Sequence, residues 1–117
     1  MDVLVVDDQS TFRAVARTLI GLTAGLQVAA EAETGEQAVE LAASLRPPVV
    51  LMDINLPGIS GIEATKRLRA SDPSIKVILM STYAAADLPA DAMESGAVGY
   101  VRKEDLTPAA LAALLDR

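Results

Sequence analysis

The chain has 117 residues, 51% of them hydrophobic, which is enough for one core and too few for two domains. Sixteen acidic residues against ten basic ones give a net charge of −6, so the basic footprint that nucleic-acid binding needs is missing, and any DNA reading falls to another domain or partner. Neither Cys nor His occurs, which excludes disulfides, thiol and imidazole nucleophiles and most zinc sites, and leaves only oxygen to hold a metal. No apolar run reaches the roughly 18 residues of a membrane span, and the start at Met1-Asp2 carries no basic signal region; the expected location is cytoplasmic, with no membrane contact.

The first apolar run, Val3-Val6, is short and β-branched, as suits a strand buried on both faces. Phe12, Val15, Ala16, Leu19 and Leu22 then repeat at helical spacing. Leu26-Glu31 is more polar and reads as an edge strand. Thr34-Gly35-Glu36-Gln37 forms a capping box that opens a helix carrying Ala38, Leu41, Ala42 and Leu45. Val49-Met52 is the third strand. Ser60-Gly61-Ile62-Glu63 is a second capping box, opening a helix through Ala70. Ile75-Met80 is the fourth strand. Asp87-Leu88-Pro89 predicts the start of a short fourth helix that stops at Gly96. Ala97-Val101 is the fifth strand, and Thr107-Pro108 starts the last helix, with Leu111, Leu114 and Leu115 as its apolar stripe. Five β-α repeats with short links predict an α/β fold: a doubly wound, five-stranded parallel sheet with helices on both faces. The expected strand order is 2-1-3-4-5, the flavodoxin-like one. Residues 1–117 are expected to form a single domain. The last helix runs to Arg117, so an output domain beyond it stays an open expectation.

Ligands of such sheets bind beyond the carboxyl ends of the strands. Asp7 and Asp8 follow the first strand, Asp53 the third, Ser81 and Thr82 the fourth, and Lys103 the fifth. Singly, each has a plain structural reading: an Asp at a strand end is often a turn residue, and Asp8 or Ser10 can cap the first helix. Together, three carboxylates, two hydroxyls and an ammonium on one rim point to chemistry. Crowded carboxylates cannot all ionise freely, and a divalent cation relieves the repulsion. Mg²⁺ is expected here, with Asp7, Asp8 and Asp53 as oxygen ligands and water filling the octahedron. A carboxylate can serve as the nucleophile of phosphoryl transfer, which otherwise needs positioning and charge stabilisation. Asp53 is that candidate. Lys103 can pair with a phosphate oxygen, and Ser81 or Thr82 can donate a hydrogen bond to another. Arg102 and Lys103 are adjacent in an extended chain, so only one of them points at the site.

The chain resembles the receiver domain of two-component response regulators along essentially its whole length. The matching stretches are Val3-Leu4-Val5-Val6-Asp7-Asp8; Leu51-Met52-Asp53-Ile54-Asn55-Leu56-Pro57-Gly58 with Gly61; Val77-Ile78-Leu79-Met80-Ser81; and Gly96-Ala97-Val98-Gly99-Tyr100-Val101-Arg102-Lys103. The resemblance implies Asp53 as phosphoacceptor and Asp8 as a direct Mg²⁺ ligand. Asp7 would act directly or through water, and the backbone carbonyl of Asn55 would complete the protein's share. It implies Ser81 as the hydroxyl that swings to the phosphate, Tyr100 as the aromatic that follows it, and Lys103 as the phosphate-binding lysine. Asn55 and Tyr83 would tune water attack on the phosphate. Many receivers have Pro after this lysine, often with a cis bond. Here Glu104 follows, so a trans bond is expected. The Tyr-x-x-Lys-acidic form resembles the subfamily whose regulators carry a helix-turn-helix output domain.

The implied partner is a histidine kinase as phosphodonor. The implied output is an altered face made by the fourth helix, fifth strand and fifth helix, offered to an output domain, a partner protein or a second copy. On this reading the chain is a signalling switch, not an enzyme. Three rivals stand beside it. A phosphatase of another doubly wound family would need a second carboxylate two residues after the nucleophile, where Asn55 stands. A nucleotide-binding domain would need a Gly-rich turn, where Asp7-Asp8-Gln9-Ser10 stands. A receiver-like interaction domain not controlled by phosphorylation would need no acidic cluster.

Overall fold

A computed structural model describes residues 1–83 and 87–116. Five parallel strands, β1 (Asp2–Val6), β2 (Gln27–Ala32), β3 (Val49–Asp53), β4 (Lys76–Ser81) and β5 (Gly99–Arg102), form one sheet in the order β2-β1-β3-β4-β5. Four α-helices connect and flank them: α1 (Ser10–Gly21), α2 (Gly35–Leu45), α3 (Gly61–Ser71) and α4 (Pro108–Leu115).

Strand alternation divides the core in two. Leu4, Val6, Val50, Met52, Val77 and Leu79 face α2 and α3, meeting Ala38, Ala42, Ile62 and Leu68. Val3, Val5, Val49, Leu51, Ile78 and Met80 face α1 and α4, meeting Ala16, Ile20, Leu111, Leu114 and Leu115. All these side chains are buried; each Leu, Ile, Val or Met among them contributes about 1.5–3 kcal/mol. β2 pairs only with β1, which explains its mixed, half-exposed sequence.

Both capping residues predicted for α2 and α3 act as expected. Thr34 accepts from Gln37 N at 3.0 Å and Ser60 from Glu63 N at 3.1 Å. Thr107 caps α4 in the same way, accepting from Ala110 N. The start of α1 differs: Gln9 is the cap residue and no side chain caps the helix, so Asp8 and Ser10 do not serve there.

The predicted helix from Asp87 to Gly96 is corrected by the structure. In place of an α-helix, a three-residue 3₁₀ turn, Ala90–Ala92, stands there, followed by turns up to Gly96. Pro89 disfavours the helical region at the residue before it and is itself extended, with ψ 143°. Gly96, at φ 93°, then ends the segment. The first member of the expected output face is therefore a short turn, and β5 begins at Gly99, two residues later than predicted.

Candidate functional site

The rim at the carboxyl end of the sheet collects the candidates. Asp7 follows β1 and is fully buried. Its N–H donates to Ala32 O, and its Oδ1 accepts from Gln9 N at 2.8 Å, so the turn into α1 is tied to the carboxylate itself. Asp8 is exposed. Asp53 ends β3 with only 4% of its surface exposed. Asn55 N donates to Asp53 Oδ1 at 3.2 Å, and Lys103 Nζ donates to Oδ2 at 3.3 Å. Lys103 Nζ also lies 2.6 Å from Asp7 Oδ2.

Backbone fit fixes Asp53 further. Gly61 opens α3 directly against it, and a Cβ there would sit 2.0 Å from the Asp53 carbonyl oxygen. Gly61 N donates to Ile54 O, and Ile54 N donates across to Met80 O on β4. The carboxylate thus projects from a turn held on both sides.

Burial pushes the Asp53 carboxyl up from 3.8 to about 6; the Lys103 charge pulls it down and Asp7 pushes it up again. For Lys103, burial works against the ammonium, but Asp7 and Asp53 outweigh it and hold its pKa above the ordinary value. Oxygens of Asp7, Asp8 and Asp53 all lie within 4.8 Å of one another. Asp7 Oδ2 is buried and receives no well-directed hydrogen bond, despite its short contact with Lys103. A hard cation with oxygen preference fits that donor set.

Of the two adjacent hydroxyls, Ser81 is 1% exposed at the end of β4, whereas Thr82 is exposed. Ser81 Oγ accepts from Tyr83 N at 2.9 Å and lies 3.1 Å from the Tyr100 hydroxyl. The Tyr100 hydroxyl donates to Tyr83 O. Tyr100 has a single proton, so Ser81 supplies the proton of the contact between them. Of the two adjacent cations, Lys103 points into the site with 12% of its side chain exposed. Arg102 points away and pairs with Glu104. Among the described residues no peptide bond is cis, so the bond after Lys103 is trans as expected.

Two residues that bear on the site carried no signal in the sequence pattern. Arg13 Nη1 donates to the Asp7 carbonyl at 2.7 Å, while its other nitrogens reach Glu31 and Glu33. Glu36, in the first turn of α2, accepts from Ile59 N and so ties down the loop after Asp53. Gly58, at φ 77°, leaves room for that carboxylate.

The family model described as the response regulator receiver domain matches residues 3–116. The response regulator GacA of Pseudomonas aeruginosa is 43% identical over 101 residues, 86% of this chain and 47% of that protein. The response regulator UvrY of Escherichia coli is 39% identical over 103 residues, 88% of this chain and 47% of that protein. The chain spans about half the length of these curated relatives. Among solved structures, a LuxR-family two-component response regulator from Aurantimonas superposes with a TM-score of 0.87 at 35% identity, covering 99% of this chain and 86% of that one. The response regulator domain of Thermotoga maritima CheB does so with a TM-score of 0.87 at 31% identity, covering 99% and 94%. With strand order, acidic rim and sequence in agreement, the chain belongs to the response regulator receiver domain family.

Proposed function

We propose that Asp53 accepts a phosphoryl group from a histidine kinase and that its phosphorylation switches the surface around β5. The observation that carries this reading is the Lys103 ammonium, held between the buried Asp7 and Asp53 carboxylates at 2.6 and 3.3 Å. A fixed cation beside a buried carboxylate suits charge that develops on a transferring phosphoryl group.

Asp7, Asp8 and Asp53, with the Asn55 carbonyl, would hold Mg²⁺. When bound, the ion neutralises carboxylate charge and draws phosphoryl oxygens to the rim. An Asp53 oxygen attacks phosphorus, the phosphorus–nitrogen bond of phosphohistidine breaks, and the leaving imidazole keeps the electron pair. Lys103 pairs with a phosphoryl oxygen throughout. The product carries roughly −1.5 to −2 added charge. Ser81 then turns its proton from Tyr100 to the phosphate. Tyr100 loses that partner and repacks, which alters the face made by the 90–96 turn, β5 and α4. That face meets an output domain, a partner protein or a second copy of the chain, and phosphorylation shifts the population between its two forms. On this reading residues 1–117 form one receiver domain that works in the cytoplasm.

Intact mass spectrometry tests the reading. Wild type with Mg²⁺ and acetyl phosphate should gain one phosphoryl group, and Asp53→Asn should gain none. No adduct on wild type with both reagents in excess would favour a binding-only interaction domain.

A further inference from the structure

Phe12 is the only Phe in the chain. Its place in the apolar stripe of α1 asks only that it face the core, and it does pack on that cluster. It also has a second neighbour that the stripe does not explain: the Lys103 ammonium lies over its ring, 4.5 Å from the centroid. The same nitrogen contacts Asp7 and Asp53. One cation is therefore met from the end of β1, the end of β3 and the first turn of α1.

Charge alone holds such a lysine poorly. The side chain is a flexible stem carrying a point charge, and either carboxylate can take the ammonium. Asp7 is the nearer, at 2.6 Å against 3.3 Å for Asp53. A lysine drawn fully onto Asp7 would be spent away from the phosphoacceptor. An aromatic face attracts the cation without neutralising it, and the ring also takes the place of water on one side of a side chain that is 12% exposed.

We propose that Phe12 is a positioning residue, whose ring face seats the Lys103 ammonium between Asp7 and Asp53 so that it meets the phosphoryl oxygens during transfer. This rests on the phosphotransfer reading above. The requirement is for an aromatic face, not for apolar bulk.

Phe12→Leu and Phe12→Tyr separate the two. NMR of metal-free protein should show the Lys103 ε-methylene protons shielded by the ring in wild type and Phe12→Tyr, and unshielded in Phe12→Leu. With acetyl phosphate and saturating Mg²⁺, Phe12→Leu should lower the phosphorylation rate constant about 3- to 10-fold. Its half-saturating donor concentration should stay within about twofold of wild type, and Phe12→Tyr should restore the rate. Unshielded methylenes in wild type would overturn the proposal, as would a wild-type rate in folded Phe12→Leu, or a Phe12→Tyr as slow as Phe12→Leu. A wild type that takes no phosphate brings down the phosphotransfer reading instead, and the proton shifts then decide whether Phe12 seats the lysine.

Discussion

Replacing Asp53 by Asn should make the domain more stable, and by an amount that depends on pH. In wild type the carboxyl titrates near 6 instead of 3.8, with burial as the main cause. The folded state therefore binds that proton more tightly than the unfolded chain. The favourable contribution is complete below the unfolded value and is lost as pH rises through about 6. A shift of about 2 units corresponds to about 3 kcal/mol. Partial solvation of the carboxylate reduces this to about 2 kcal/mol. Asn does not titrate, so the advantage of Asp53→Asn should grow by about 2 kcal/mol between pH 4 and pH 7. At about 4 °C per kcal/mol for a chain of this length, that is a Tm difference of about 8 °C. Thermal unfolding of both proteins across this range in EDTA measures it. Mg²⁺ should then raise the Tm of wild type more than that of the variant. A Tm difference that stays flat from pH 4 to pH 7, or that turns toward Asp, would refute the reasoning.

Gly61→Ala should cost about 3 kcal/mol in urea unfolding, because its Cβ would collide with the Asp53 carbonyl and backbone yields little; a loss under about 1 kcal/mol would mean that the loop gives way. Arg13→Leu removes the donor to the Asp7 carbonyl from a side chain only 13% exposed. It should lower stability by about 1–3 kcal/mol and weaken Mg²⁺ binding measured by calorimetry, whereas unchanged affinity would leave Arg13 a structural role only. Tyr83→Ala should speed loss of the phosphate, and an unchanged dephosphorylation rate would remove Tyr83 as a shield.

β1, β3 and β4 were legible because they are covered on both faces, so burial writes itself as an almost unbroken aliphatic run. The carboxylates were legible because each directly follows such a run, as Asp7 follows Val6 and Asp53 follows Met52. Contacts that cross between elements left no such trace. Arg13 reaches Asp7 from α1, Glu36 reaches Ile59 from α2, and Phe12 meets Lys103 from the far end of the chain. In each case the sequence shows an ordinary helix residue. The helix expected at Asp87 failed for a different reason. Pro89 and Gly96 were both read as helix punctuation, but Pro89 is extended instead of opening a first helical turn, and Gly96 follows a run of turns.

Lys76 opens β4, and its ammonium donates to the carbonyl of Leu115 at 2.8 Å, in the last turn of α4. The other end of the same strand is Ser81. β4 is laced to β3 on one side and β5 on the other, so it cannot slide without breaking both ladders. It behaves as a fixed mast, with α4 moored to its foot and the Ser81 hydroxyl at its head. An axial shift of α4 would break the Lys76 hydrogen bond to Leu115, so the helix and the Ser81 end of the sheet share one anchored strand.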